Sequence, residues 1–485
     1  MPAKKTAKDD PKSRQTVTPW KQESVWEKLS AAELKQVENY CADYIRFISD
    51  AKTERLAHDI ALKLAKDAGF ADLDALATAG KKLKPGTKVY RSCHGKTLFL
   101  AQIGKEPLEN GLSLIGAHID SPRLDAKPNP LYQDDCMAML DTHYYGGIKK
   151  YQWVTIPLAL HGVVIRRDGT SVTLNIGEDP GDPVLTITDL LPHLGADQAK
   201  KTLAEAFSGE ALNVLLASRP VPKDDGDKDF KDRTKLRVLR LLKDKYGIEE
   251  EDFASAELEL VPAGPARELG LDRSMVLGYG QDDRVCAYGA IRAILDAKGV
   301  PTRTRAAVIC DKEEIGSYGS TGMDSMFMEN TVAELSALMG DGYNELTVRR
   351  ALARSRMLSA DVNALHDPAF PEVSSPNNMG KMGCGVVISK YTGARGKSGS
   401  SDASAEFMGD VRRIFNDAGV AWQMGELGKV DVGGGGTIAL YLARYGMDVV
   451  DCGVGLLSMH APQECASKVD IYMGYKAYKA FFEAK

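Results

Sequence analysis

The rhythm of this 485-residue chain breaks once and then resumes. Up to about residue 126 a helical stretch is followed by short β-branched or aromatic runs, KVYRSCHGKTLFLAQIG and GLSLIGAHIDS. From about residue 273 helix-like and strand-like segments alternate again. Between them, WVTIPLALHGVVIRRDGTSVTLNIGEDPGDPVLTITDL alternates apolar and polar residues around DG and DPGDP turns, which marks an antiparallel module. A chain of this length exceeds one ordinary core. The break therefore predicts an α/β domain in two parts, 1–126 and 273–485, interrupted by a β-rich insert over 127–272. The α/β parts should form a mixed sheet flanked by helices.

Local signals fill in this outline. About the first 20 residues read as a disordered arm, and Ser30 as the N-cap of the helical stretch that follows. Within the insert, KDDGDKDFKDRTK (223–235) reads as a solvated loop, followed by a helix over LRVLRLLKDKYG. The later part predicts a helix over RVCAYGAIRAILDAKG, a strand at TRAAVICDKE, helices around TVAELSALMG and SDASAEFMGDVRRIFNDAG, and a last helix over KVDIYMGYKAYKAFFEAK.

Composition excludes several classes of protein. A net charge of −5 and a pI near 6.0 argue against general nucleic-acid attraction. The N-terminus lacks the apolar core of a signal peptide, and no later apolar run is long enough to cross a bilayer. The eight cysteines are scattered singly, without a CxxC pair, as suits a reducing cytoplasm.

The residues able to carry chemistry sit where apolar runs end. In LIGAHIDSPRLD, His118 and Asp120 are two residues apart, so period-2 geometry puts them on one face at a strand's end. Asp120 can then bond one ring nitrogen while the other meets a metal. In ICDKEEIGSYGSTG, Glu313 and Glu314 point different ways out of a turn, so one carboxylate can bind metal while its neighbour handles the attacking water. GYGQDDRVCAYGAI supplies Asp282 and Asp283 before a helix, the second read as a cap or dipole partner. SADVNALHDPAFPE supplies Asp361 and His366, and CGVGLLSMHAPQE ends its apolar run in His460. Two strand-end histidines and three or more carboxylates make the inventory of a two-metal site. Without thiolate, such a set favours zinc, with cobalt or manganese as substitutes.

Taken in order, GAHIDSPRLDAKPNPLY, GQDDR, CDKEEIGS, SADVNALHDP and MHAPQE resemble the aspartyl-aminopeptidase-like dinuclear zinc metallopeptidases, particularly their bacterial branch, over nearly the whole chain. The resemblance implies that His118, Asp282, Glu314, Asp361 and His460 hold two zinc ions, with Asp282 bridging. It implies Glu313 as general base and Asp120 as the aspartate orienting His118. It also makes the insert a dimerisation domain within a dodecamer, from which His161 reaches a neighbouring subunit's site. The eukaryotic members have Arg-Leu-Asp-Asn where this chain has GQDDR, but the bridging aspartate is retained.

The expected activity is removal of N-terminal residues from peptides in the cytoplasm, with no membrane or nucleic-acid partner. Acidic N-terminal residues would need a cation in the substrate pocket, for which Lys390, Arg395 and Lys397 are the candidates. VDVGGGGTIAL lacks the Lys-Ser/Thr ending of a P-loop and is expected to bring backbone close to the substrate. The alternatives are a carboxypeptidase or amide deacylase on the same scaffold, or a non-catalytic assembly protein.

Overall fold

The computed structural model describes residues 20–223, 231–340 and 343–484. The N-terminal arm and most of the 223–235 charge run lie outside the described residues. Ser30 does cap the first helix, Ala31–Asp50: its hydroxyl accepts from Glu33 N–H, and the Glu33 carboxylate accepts from Ser30 N–H at 2.9 Å. Thr53 opens the next helix, Glu54–Asp67, which sets Glu54 in the first turn.

A mixed nine-stranded sheet forms the centre of the α/β part. Its four adjacent inner strands, Arg305–Cys310, Ser113–His118, Arg356–Ser359 and Asp448–Gly453, run parallel. The first three are almost wholly buried, as parallel strands covered on both faces must be. Helices Gln281–Asp296 and Lys468–Glu483 pack together against this sheet, one core with Leu98, Ile115, Ile309, Leu358 and Val450. A second core lies around Phe99, Leu114, Val308, Val332 and Met357. Parallel order puts four carboxyl ends side by side, and the loops that leave them converge there.

The insert is a separate six-stranded antiparallel sheet with its own core around Leu124, Trp153, Leu160 and Leu260. Its strands run from Arg123 to Pro262, not from 127 to 272. The Lys-Pro-Asn-Pro segment, which reads as the boundary, instead lies within one strand, Arg123–Asp134, whose register shifts between Ala126 and Leu131. Residues 267–278 leave the insert altogether. The strands Arg267–Leu269 and Met275–Gly278 join a five-stranded sheet through pairing with Glu464–Ser467.

Candidate metal centre

Each candidate ligand is delivered by the end of a regular element. His118 closes the strand Ser113–His118, the turn holding Glu313 and Glu314 follows Arg305–Cys310, and Asp361 follows Arg356–Ser359. Asp282 stands in the first turn of Gln281–Asp296, and His460 in the loop between the strands Gly455–Leu457 and Glu464–Ser467.

Asp282 lies between the two histidines. Its Oδ1 is 3.3 Å from His118 Nε2 and its Oδ2 is 3.2 Å from His460 Nε2. Glu314 Oε2 is 3.5 Å from His460 Nε2. Asp361 Oδ1 and Glu313 Oε2 are 4.0 and 3.9 Å from His118 Nε2. All five expected ligands and Glu313 are thus brought together. Asp120 stands behind them: its carbonyl and its Oδ1 lie 3.0 and 3.2 Å from His118 Nδ1, while its carboxylate accepts from the N–H groups of Glu313 and Glu314, both at 3.1 Å.

The electrostatics fit a cation. Among the described residues no lysine or arginine is within ion-pair distance of Asp282, Asp283, Glu313, Glu314 or Asp361. Oxygens of Asp282, Asp283 and Glu314 are buried without a hydrogen-bond partner, a costly state for a carboxylate unless a metal takes it up. His118, Asp283 and Asp361 converge in one group, and His118, Asp282 and Glu314 in another. Burial, reinforced by Asp283, pushes the Asp361 carboxyl well up, and burial with Asp282 does the same to Glu314. Burial opposes charge on His460, but Asp282 and Glu314 outweigh it and hold the imidazole up to about 10. Protons on the rings and bound cations are therefore alternatives at one place.

Burial also pushes Glu313 up to about 7; the positive His118 pulls it down, while Asp120 and Asp282 push it further up.

Some positions differ from expectation. Asp283 does more than cap a helix: it is fully buried and its Oδ2 accepts from His118 N–H at 3.2 Å. Glu464, the last residue of MHAPQE, was given no role by the sequence, yet its buried carboxylate accepts from His460 N–H at 2.8 Å and from Asp282 N–H at 3.2 Å. His161 stays apart from the cluster. Its ring is buried in the insert, with Nε2 3.0 Å from Glu178 Oε1 and Nδ1 without a hydrogen-bond partner among the described residues. His366 is occupied with Ser374 Oγ at 2.8 Å.

Lys390 and Lys397 both pair with Asp402, at 2.9 and 3.2 Å, and Lys397 lies over the Tyr391 ring. Tyr391, Arg395, Lys397 and the glycine-rich turn line one cleft of about 270 Å³. Glycine is required there by the chain's own packing, since a Cβ on Gly433 would fall 1.7 Å from the Leu427 carbonyl oxygen.

A profile of the family described as "Aminopeptidase I zinc metalloprotease (M18)" matches residues 47–482. The chain belongs to the M18 family of zinc aminopeptidases. A probable M18 family aminopeptidase 1 of Clostridium acetobutylicum is 51% identical over 458 residues, covering 94% of this chain and 97% of that protein. Its counterpart in Thermotoga maritima is 43% identical over 449 residues, covering 93% and 96%. The crystal structure of the M18 aminopeptidase from Thermotoga maritima superposes with a TM-score of 0.90 at 42% identity, over 96% of this chain and 100% of that one. That of aminopeptidase I from Clostridium acetobutylicum gives 0.88 at 47%, again over 96% and 100%. This M18 chain is accordingly a metallo-aminopeptidase, not a carboxypeptidase, deacylase or silent assembly protein. Among its described residues no helix is long and apolar enough to cross a membrane.

Proposed function

We propose that this aminopeptidase works with two metal ions, one held by His118, Asp282 and Asp361 and the other by Asp282, Glu314 and His460. The observation that carries this reading is the division of Asp282, whose two oxygens face different imidazoles at 3.3 and 3.2 Å. Zinc is the family's metal, and its Lewis acidity, when bound, makes water reactive near neutral pH and polarises a carbonyl. Glu313 takes the proton from the attacking water at a carboxylate oxygen and delivers it to the departing amine. Asp120 keeps His118 turned so that Nε2 faces the ligands, and burial of the whole group keeps bulk water from screening these charges.

Swapping each member of the Glu pair for Gln tests the roles. Glu313→Gln should retain full zinc content and lose about 10²–10⁴-fold in kcat, whereas Glu314→Gln should lose zinc. Wild-type turnover in Glu313→Gln would sink the base assignment.

A preference for acidic N-terminal residues rests on Arg395 and Lys397 in the glycine-rich cleft. Because Lys390 and Lys397 already share Asp402, Arg395 is the better reader of a substrate carboxylate. A panel of amino-acid nitroanilides decides: fastest cleavage of the Leu or Met substrate rejects the preference. We also infer a cytoplasmic homo-oligomer. Eight free cysteines support the compartment. Tyr132, Met137 and Tyr151, exposed on the insert, support a subunit contact there. A dodecamer described for the Saccharomyces mApe1 protein, which shares this fold at 21% identity and a TM-score of 0.74, suggests the size.

A further inference from the structure

One short turn of the insert holds the far side of both histidines. Tyr145, the last residue of the strand Met137–Tyr145, donates its hydroxyl to Asp120 Oδ2 at 2.8 Å. That carboxylate's other partners are His118 and the N–H groups of Glu313 and Glu314. Two residues further on, the Gly147 carbonyl accepts from His460 Nδ1 at 2.8 Å. In each ring a bond at Nδ1 leaves Nε2 turned toward Asp282.

The turn is built for this approach. Gly146 has φ +73°, and a Cβ on it would lie 3.4 Å from Glu314 Oε2; a Cβ on Gly147 would lie 3.4 Å from His460 Nδ1. The Tyr145 ring cannot swing away, because the Arg123 guanidinium lies 3.9 Å over its centre, itself fixed by Glu54, Asp125 and Glu259.

We propose that Tyr145–Gly147 is a positioning element for the aminopeptidase reaction. Tyr145 acts through Asp120 on His118 and the Glu313–Glu314 turn, and the Gly147 carbonyl sets the ring of His460. The insert is thereby part of the reaction centre and not solely an assembly module. This rests on the reading that His118 and His460 bind metal.

The test compares Tyr145→Phe, Gly147→Ala and His460→Asn with Tyr144→Phe, whose ring is 42% exposed on the other face of the strand. The measurements are kcat, KM and zinc affinity by chelator competition. Tyr145→Phe keeps the ring over Arg123, so its melting temperature should hold while kcat falls about 10-fold and KM moves less than about 2-fold. Gly147→Ala keeps the carbonyl but presses a Cβ against the His460 ring, so it should weaken zinc binding by no more than about 10-fold, and Tyr144→Phe should match wild type. Should Gly147→Ala fail to fold, Tyr145→Phe carries the test alone. The proposal falls if Tyr145→Phe keeps wild-type kcat, or if Tyr144→Phe loses as much. Full zinc content in His460→Asn would instead overturn the metal reading. Zinc loss in His460→Asn, with Tyr145→Phe and Gly147→Ala unchanged, would leave that reading standing and remove this one.

Discussion

Two buried charge clusters flank Tyr145, and they are built on opposite principles. On one side Arg123 lies between Glu54, Asp125 and Glu259, with Lys96 also on Glu54, so protein cations answer protein anions. Burial drives the Glu259 carboxyl well above the carboxylate range; Arg123 opposes that and Glu54 adds to it. On the other side Asp282, Asp283, Glu313, Glu314 and Asp361 meet, among the described residues, two imidazoles and no lysine or arginine. Buried charge as such therefore does not mark a reaction centre. The mark is buried charge that the chain leaves unbalanced, and the two clusters should respond differently when charges are removed.

The largest expected difference is in stability. Arg123→Met keeps the bulk over Tyr145 but strips the cation from Glu54 and Asp125. Breaking a buried pair from one side costs about 3–5 kcal/mol. Denaturant unfolding of the zinc-loaded protein should show that loss. A loss below about 1 kcal/mol would mean that the cluster does not depend on Arg123 and would erase the contrast.

This difference explains which parts were legible beforehand. His118, His460 and the Glu313–Glu314 pair announce themselves because each ends an apolar run, and a strand's end has few structural reasons to carry such groups. The insert was legible from its change of period. Its edge was not, because the prolines at 128 and 130 sit in a register shift inside a continuing strand, where they look like a linker. Glu464, Tyr145 and Gly147 escaped for another reason. Their partners are backbone N–H groups, a carboxylate and a ring nitrogen brought near by tertiary folding, and no periodicity encodes such contacts.

A smaller but sharper contrast lies in the response to pH. Because carboxylates hold His460 up to about 10, its ring carries a proton at neutral pH in zinc-free protein, and zinc must displace it. A folded value above the ordinary 6.5 contributes stability that is complete below about 6.5 and is lost as pH rises toward 10. Glu464, pushed up to about 8 mainly by burial and by Asp282, acts in the same direction, its contribution fading as pH rises through 8. Zinc-free protein should therefore melt at progressively lower temperature from pH 6.5 to 9, and zinc should oppose the decline. Zinc affinity should weaken by about 10-fold for each proton displaced per pH unit between 8 and 6. An affinity that stays flat over that range breaks the proton-for-metal exchange.

The smallest effect belongs at the solvent edge of the balanced cluster. Arg55 pairs with Glu257 at 2.5 Å, but their side chains are 30% and 45% exposed, and Lys96 also reaches Glu257 at 3.0 Å. Exposed pairs are screened and contribute about 0–1 kcal/mol. With Lys96 left to balance Glu257, Arg55→Met should lower unfolding free energy by less than about 1 kcal/mol and leave kcat unchanged. If Arg55→Met instead costs as much as Arg123→Met, the network acts as one unit to its rim, and burial is not what divides its strong members from its weak ones.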